Sequence, residues 1–439
     1  MWSRLALFFG IVVCSLSSPT GRNRPIFPLE ETIKWIRYEG YAGESHNVET
    51  HDGYILELHR IPYGQFQTTS TSKRPVVFMM HGLMAASNCY ILLGPQKSLA
   101  FNFADAGFDV WLGNARGNKL SRRHVKLNPD SSKDKRQFFD LSFEEIGMYD
   151  VAQMIDYVLE YTDSEQLHYI GHSQGGTAFL VLTSMLPEYN AKFASVNLLA
   201  GVGYQNYFPN TALRTLARFT NTIYTSAVAA GFVEVAIPSL PNITRPDSDD
   251  DPEQELLYDL MSITEMMRDD TIEDQDYTNM FGGAALKQIA HFGQNIRDKT
   301  FRRWNYGAIR NRQIYGSSTP PAYDLSLITA NVTMHYTVSD ILLDERDVLA
   351  MVNDMPNARA RKVPREDFSH LAFVSAADSK ELLTDYILEA TLRIENLENN
   401  DKDEDIDTNP NRPDSGSVIA LSLIFKMYLS IYSLWIIVN

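Results

Sequence analysis

Residues 167–180 read LHYIGHSQGGTAFL and contain a Gly-x-Ser-x-Gly pattern with Ser173 at its centre. An apolar run precedes the pattern, and a small-residue helical stretch follows it. A strand–turn–helix of this kind holds the serine in a strained backbone conformation, with its hydroxyl projecting above a sheet. The flanking glycines lack a Cβ, so the strand and the helix can pack closely beneath the turn. The pattern predicts that Ser173 is a nucleophile; the alternative is a structural turn with an incidental serine.

A serine hydroxyl is a poor nucleophile unless a base removes its proton, and that base needs a third group to fix its tautomer. In sheets of this kind the partners follow in the chain order serine, acid, histidine. Beyond residue 329 the histidines are His335 and His370. His335 lies inside an apolar strand and is predicted to be a core or sheet-face residue. His370 lies in a loop before the last helix, where it can reach over the sheet, and is the predicted base.

The predicted acid is Asp340, because it directly follows a strand, at the carboxyl edge of the sheet where sites form. Three rivals are explained more simply as turn or cap residues: Asp324, Asp344 and Asp347.

The developing oxyanion needs preorganised backbone donors. One is predicted to be the N–H of Gln174, the residue after the nucleophile. The second is the N–H of Leu83, in the loop after the strand that ends at His81-Gly82. His81 is predicted to shape this loop and has no assigned catalytic role.

Other chemistries lack their sequence signals. There is no paired-histidine helix, no Cys-x-x-Cys and no glycine-rich nucleotide loop, so no metal and no cofactor are expected. The Arg-Gly of residues 114–118 (NARGN) is predicted to be a structural turn. The net charge of −16 argues against nucleic acid, which requires a basic stripe. Much of the acidity lies in two runs predicted to be solvated loops, Asp247–Glu255 and Asp401–Asp407.

The strands that position these residues are predicted from short apolar runs bounded by turn residues. Such runs are typical of buried parallel strands. Such runs occur at residues 75–83, 108–113, 167–170, 194–200 and 331–338. Helical patterns separate the early runs, including one at residues 144–161. The alternation predicts an α/β fold with a mostly parallel central sheet wrapped by helices.

Residues 204–329 interrupt this alternation. They contain helical patterns, for example around residues 213–223, 256–267 and 284–292, and no clear buried strand. An insertion of this length is a subdomain, either helices packed over the sheet edge or a lid over Ser173. The lid is favoured because the insertion follows the strand directly after the nucleophile.

The two ends of the chain carry targeting signals. Met1–Ser18 has a charged start, an apolar core and small residues at its end, which is typical of a secretory signal; as a membrane anchor its apolar run is too short. Once it is removed only Cys89 remains, so no internal disulfide can form. Asn242 and Asn331 are predicted glycosylation acceptors, which suit a secreted or lumenal protein.

The C-terminal tail is long enough to span a bilayer but carries Lys426 near its middle. Small residues before it also fit a lipid-anchor signal, and both interpretations predict membrane association. The predicted segments are a signal peptide (1–18), the first part of the core (19–203), a helical lid (204–329), the second part of the core (330–397), an acidic polar linker (398–417) and a hydrophobic tail (418–439).

Several stretches together resemble the acid lipase family of α/β-hydrolases, which includes gastric and lysosomal acid lipases. They run from about His46 to Val374: HNVETHDGYILELHRIP, HGLMAAS, FADAGFDVWLGNARGN, SRRHVKLNPD, LHYIGHSQGG, YGSSTPPAYDLS, SDILLDERDV and SHLAFV. The resemblance implies an α/β-hydrolase fold and hydrolysis of triacylglycerols or sterol esters at a lipid–water interface. It also implies a Ser173, Asp340 and His370 triad, with Leu83 and Gln174 at the oxyanion hole.

The sequence departs from the family at three places. The lid has no cysteine pair around residues 238–252, the stretch LAGVGYQNY lacks the usual proline, and the hydrophobic tail is foreign to soluble members. Two other functions remain compatible with the sequence: a carboxylesterase for small soluble esters, and a lipid carrier that kept the fold without the reaction. All five expected site positions are filled, which favours an enzyme, and the long apolar lid favours a water-insoluble substrate.

Overall fold

The computed structural model describes residues 27–67, 73–235 and 280–406. Within these ranges nine strands form one sheet, in the order β1-β2-β4-β3-β6-β7-β10-β11, with β5 paired to β2. The strands are β1 (Glu44–Glu49), β2 (Tyr54–Ile61), β3 (Val76–Met80), β4 (Asp109–Gly113), β5 (Arg123–His124), β6 (Leu167–His172), β7 (Phe193–Leu199), β8 (Glu234–Val235), β9 (Ala284–Ala285), β10 (Val332–Tyr336) and β11 (Ala358–Lys362).

The six strands from β4 to β11 along the sheet pair in parallel, while β1 and β2 add an antiparallel edge. Every residue of β3, β4, β6 and β10 is buried. Strands covered on both faces are mainly apolar on both, which explains why these runs show no regular alternation of polar and apolar residues. The predicted mostly parallel sheet is confirmed.

The described helices, numbered in chain order, cover the sheet and form the insertion. They are α1 (Thr32–Tyr38), α2 (Leu99–Asp105), α3 (Lys135–Phe138), α4 (Phe143–Glu145), α5 (Ala152–Thr162), α6 (Gln174–Met185), α7 (Thr211–Ala217), α8 (Thr220–Ala229), α9 (Leu286–Asp298), α10 (Ala308–Tyr315), α11 (Glu345–Asp354), α12 (Ala372–Ser375) and α13 (Asp385–Ile406). Two π segments occur, Ile146–Val151 and Lys380–Thr384. Residues up to Glu389 belong to one compact unit, and the described residues 390–406 belong to a second.

The predicted helix at residues 144–161 is divided into α4, a π segment and α5. At Gly147 a Cβ would lie 2.7 Å from the carbonyl oxygen of Ala178 in α6, so the two helices cross there at backbone distance. The spacing of apolar residues does not reveal the wider turn, because the buried face stays the same on both sides of it.

Described residues of the insertion, 204–235 and 280–329, add no strand to the main sheet. The helical pattern at residues 213–223 proves to be two helices, α7 and α8, and both pack on α9. The insertion also holds a two-stranded ladder of β8 and β9, whose strands of two residues are too short to show a period. The predicted helix at residues 256–267 lies outside the described residues.

A buried ion cluster joins the turn after β1, the loop after β4 and the π segment Ile146–Val151. The Arg116 side chain is 1% exposed, and its Nε donates to Asp150 Oδ1 at 2.6 Å. Its Nη1 donates to Asp52 Oδ2 at 2.6 Å, and the guanidinium lies 4.1 Å from the centre of the Tyr54 ring. The Asp150 side chain is 0% exposed and also accepts from the backbone N–H of Arg116. The Arg-Gly turn is therefore structural, as its sequence predicts.

Replacing Arg116 with methionine should lower the free energy of unfolding by about 3–5 kcal/mol, because it leaves Asp150 buried without a counter-ion. Denaturant titration of the purified variant measures the change. Arg346→Met is the matched control: its ion pair with Asp344, at 2.8 Å, lies on the surface, so its loss should have little effect. Equal destabilisation by the two substitutions would contradict this account.

Candidate active site

Ser173 lies at the turn between β6 and α6 with φ 51° and ψ −113°. A positive φ is costly for a residue with a Cβ and persists only where the surroundings enforce it. Here the Ser173 backbone N–H donates to the Leu199 carbonyl oxygen at 2.9 Å, which ties the turn to β7. A Cβ at Gly175 would lie 2.0 Å from the Met80 carbonyl oxygen, so only glycine lets α6 start against the end of β3.

Ser173, His370 and Asp340 lie in hydrogen-bond contact. Nε2 of His370 is 2.8 Å from Ser173 Oγ, and Nδ1 of the same ring is 2.6 Å from Asp340 Oδ2. The other oxygen of Asp340 accepts from the backbone N–H groups of Leu342 and Leu343 at 2.7 and 3.0 Å. All three side chains are largely buried. Since Asp340 holds the proton at Nδ1, the lone pair of Nε2 faces the hydroxyl and can accept its proton.

Rival carboxylates have other partners. Asp324 accepts from the Ser326 backbone N–H, and Asp344 caps α11 through the Arg346 N–H. Asp347 accepts from the backbone N–H groups of residues 206 and 207, an interaction that its sequence position did not reveal. Among the described residues, no set of three histidine, cysteine or carboxylate side chains could hold a metal ion.

Two other histidines have structural contacts. His335 is buried in β10, its Nε2 is 3.0 Å from Asn197 Oδ1, and burial lowers its pKa. His81 donates from Nδ1 to the Gly82 carbonyl oxygen at 2.7 Å and accepts the Ala115 N–H at Nε2. Burial lowers the pKa of His81 to about 4, so the ring stays neutral with one donor and one acceptor. This arrangement joins the loop after β3 to the loop after β4.

The two predicted oxyanion donors lie on either side of the serine turn. A Cβ at Gly82 would lie 3.1 Å from Ser173 Cβ, so the loop that carries Leu83 passes directly over the nucleophile. Leu83 lines the same cavity as Ser173. Gln174 is the first residue of α6, where a backbone N–H has no acceptor within the helix.

His172 is a site residue that the sequence analysis missed. Its Nε2–H donates to the backbone carbonyl oxygen of His370 at 2.9 Å, which fixes the loop of that histidine. Burial, and then the neighbouring charge of His370, lower the pKa of His172 to about 3. The ring is therefore a neutral donor. Only its position before Ser173 could have indicated this role, and the apolar run around it indicated a strand residue instead.

Gln288 is a second missed residue. The side-chain amide of Gln174 donates to Gln288 Oε1 at 2.9 Å, and both side chains are buried. Gln288 lies on α9, so this contact ties the insertion to the residue after the nucleophile. Gln288 is one of several polar residues of this helix that are buried, so no local pattern in the sequence distinguished it.

A cavity of about 250 Å³ opens above Ser173 and His370. Its described walls are mainly apolar and come largely from the insertion. They include Leu213, Leu216 and Ile223 of α7 and α8, and Leu286, Ile289 and Phe292 of α9. An apolar group bound here would lie next to the serine hydroxyl.

The parallel sheet, the strained serine turn and the contacts of His370 define an α/β-hydrolase. Residues 32–94 match the family model described as a partial alpha/beta-hydrolase lipase region, and residues 75–241 match the model of the alpha/beta hydrolase fold.

Relatives that match most of the chain identify the family within this fold. Lipase 3 of Drosophila melanogaster is 37% identical over 400 residues, which cover 88% of this chain and 98% of the relative. Lipase 1 of the same species is 36% identical over 80% of this chain and 77% of its own length. Gastric triacylglycerol lipase of Homo sapiens is 32% identical over 78% of this chain and 86% of its own length. The chain belongs to this family of lipases and is an ester hydrolase, which confirms the fold and the family that the sequence motifs predicted.

Removing the acceptor of the Gln174 side chain should impair turnover. In Gln288→Leu, the side chain of Gln174 loses a buried hydrogen bond worth about 1 kcal/mol. Because Gln174 is a predicted oxyanion donor, kcat/KM should then fall about fivefold. Hydrolysis of a short soluble ester measures this effect without a lipid interface.

Gln294→Leu is the matched control. Gln294 lies on the same helix, and its buried amide contacts Asn221 and Asn305 instead of Gln174. This variant should lose stability while kcat/KM stays near the wild-type value. An equal loss of activity in both variants would show that general packing of α9 is responsible, against the proposed link.

Proposed function

We propose that this protein hydrolyses fatty-acyl esters of water-insoluble lipids, triacylglycerols or sterol esters, through an acyl-enzyme on Ser173. The observation that carries this proposal is the 2.8 Å contact between His370 Nε2 and Ser173 Oγ at the base of an apolar cavity. A hydroxyl next to a neutral imidazole, beside a space for a hydrocarbon chain, suits acyl transfer from a lipid ester.

In the first half-reaction the Ser173 oxygen attacks the ester carbonyl, and its proton passes to Nε2 of His370. Asp340 stabilises the resulting imidazolium through Nδ1–H. The backbone N–H groups of Leu83 and Gln174 bind the oxyanion. Collapse of the tetrahedral intermediate breaks the ester bond, and the imidazolium gives its proton to the departing alcohol.

In the second half-reaction water takes the place of the alcohol. His370 accepts a proton from the water as its oxygen attacks the acyl carbonyl, and the same donors bind the new oxyanion. The proton then returns to Ser173 Oγ as the bond to the acyl group breaks. The products are an alcohol and a fatty acid, and the enzyme regains its starting state.

The insertion, residues 204–329, acts in this proposal as a cap that receives the acyl chain. Support comes from its described helices α7, α8 and α9, which supply much of the apolar wall around Ser173. A relative named gastric triacylglycerol lipase favours triacylglycerol as the substrate. The apolar wall alone is compatible with sterol esters as well, because burial of apolar surface does not depend on the shape of the alcohol.

Ser173→Ala and His370→Ala should each lower kcat/KM by about 10⁴-fold or more, because the three side chains act as one unit. Melting temperatures should change little. A serine-directed phosphonate should label the wild type at Ser173, as located by peptide mapping. Ser184→Ala, a buried serine on α6 bonded to the Val181 carbonyl oxygen, should remain active and be labelled at Ser173.

Activity on emulsified triacylglycerol, a cholesteryl ester and a short soluble ester separates the candidate functions. We expect the highest turnover on one of the two lipid esters. Turnover confined to the short ester would identify a carboxylesterase. Binding of lipid without hydrolysis, or a label on a serine other than Ser173, would contradict the proposed reaction.

We further propose that the protein is secreted or lumenal, that residues 1–18 are removed, and that Asn242 and Asn331 carry glycans. Asn331 is exposed directly before β10. Residues 1–18, Asn242 and the tail at 418–439, proposed to associate with a membrane, lie outside the described residues. Among the helices that the structure describes, none is long and apolar enough to cross a membrane.

Expression in a secreting eukaryotic cell tests this location. The mature protein should begin near residue 18, and Asn331→Gln should remove one glycan, whereas Thr333→Ser keeps the acceptor and should retain it. Deleting residues 418–439 should move protein from the membrane fraction to the medium. An intact N-terminus would contradict removal of the signal, and no mass loss on deglycosylation would contradict the glycans. Equal recovery in the medium with and without the tail would contradict its membrane association.

A further inference from the structure

A second cavity, of about 500 Å³, shares one wall residue, Tyr224, with the cavity above Ser173. We call it the basic pocket. Its wall contains four cationic side chains, four aromatic rings and one carboxylate: Lys133, Arg136, Lys287, Arg310, Phe139, Tyr224, Trp304, Tyr306 and Asp140. Such a concentration of positive charge is unusual in a chain whose net charge is −16.

The positive charges of the basic pocket are only partly compensated. Lys287 is 3% exposed, and its Nζ donates to Asp140 Oδ1 at 2.7 Å. Burial opposes the charge of Lys287, but nearby Glu145 and Asp140 outweigh it and raise its pKa, so the ammonium persists. Lys133, Arg136 and Arg310 form no ion pair with any carboxylate in the part of the chain that the structure describes.

Aromatic rings supply apolar surface between these charges. Lys287 Nζ lies 5.3 Å from the centre of the Trp304 ring, and the Arg310 guanidinium lies 4.9 Å from that of Tyr306. Tyr224 packs edge-on against Trp304 with the ring centres 5.2 Å apart. A ligand that fits this wall therefore has an anionic group for the cations and a hydrocarbon part for the rings.

We propose that the basic pocket binds the carboxylate end of a long-chain fatty acid, the product of the reaction assigned above. This inference rests on the proposed function, because hydrolysis is what creates the charge. The ester substrate is neutral, so a pocket whose cations outnumber its carboxylates selects product over substrate. Its shared wall with the acyl cavity places it next to the point where the acid is released.

Binding of oleate to the full-length protein tests the proposal. Ser173 is first modified with a long-chain alkylphosphonate, which fills the acyl cavity, and mass spectrometry verifies the modification. Equilibrium dialysis with oleate below its micelle concentration should then detect about one site per chain. Oleyl alcohol, which has the same chain without the charge, should not occupy that site.

The double variant Arg136→Gln/Arg310→Gln should weaken oleate binding at least about tenfold, since hydrogen bonds to charged groups contribute about 1.5–3 kcal/mol each. Arg312→Gln is the matched control, because Arg312 is exposed on the same helix, α10, and is not part of the pocket wall. It should bind oleate like the wild type. All variants should keep wild-type activity on a short soluble ester, since neither Arg136 nor Arg310 lines the cavity of Ser173.

Three results would overturn the inference. They are no oleate site in the modified wild type, equal affinity in the double variant, or equal loss in Arg312→Gln. If oleate fails but phosphatidylserine vesicles bind in a manner that depends on Arg136 and Arg310, the pocket belongs to a phosphorylated lipid and the fatty-acid assignment is wrong. Failure of the phosphonate to modify Ser173 would instead contradict the proposed function, and oleate binding to the unmodified variants would still test the pocket.

Discussion

The backbone contact between the start of α6 and the end of β3 is the constraint on which the site depends. A Cβ at Gly175 would overlap the Met80 carbonyl oxygen, at 2.0 Å. Because the helix starts this close to the strand, the chain must turn sharply at Ser173 and accept a positive φ. Hydrogen bonds hold the turn there, from the Ser173 N–H to Leu199 and from the Tyr169 hydroxyl to the Gly175 carbonyl oxygen at 2.8 Å. Packing of the sheet thus stabilises a backbone strain that aims one hydroxyl away from the core.

Neutral histidines around this turn hold the neighbouring loops. His81 joins the loop of Leu83 to the loop after β4, and His172 bonds the backbone of His370. Each ring is buried deeply enough that its pKa falls to about 4 and about 3, so it acts as a donor of fixed orientation rather than as a charge. Of the three described histidines around this turn, His370 is the one whose ring contacts a carboxylate, that of Asp340. All three rings are buried to a similar extent, so the carboxylate partner, rather than burial, separates His370 from the two structural histidines.

Features of the fold that depend on neighbouring residues in the chain could be predicted from the sequence. The serine turn, the buried strands and the positions of Asp340 and His370 after their strands follow from short patterns and chain order. The contact of Gln174 with Gln288 joins residues 114 positions apart, and no local pattern records it. The same holds for Asp347, which resembles a helix-start residue but accepts backbone N–H groups from residues 206 and 207. Polar residues within a helical pattern, several of which are buried on α9, were the only signal, and that signal does not identify the partner.

Those polar residues also show that the described helices of the insertion contact the core in two different ways. Helix α9 is bonded to the core through buried side chains: Lys287 to Asp140, Gln288 to Gln174, and His291 to Ser142 at 3.0 Å. Breaking these contacts would leave buried polar groups unsatisfied, which is costly, so they hold α9 against the core. Helices α7 and α8 instead leave Leu216 and Ile223 exposed, at 46% and 36%, although both also line the cavity of Ser173. The α9 wall of that cavity is bonded to Gln174 beside the nucleophile, so its position matters for the site. The wall formed by α7 and α8 needs only to offer apolar surface to a bound chain. This difference accounts for the polar residues on α9.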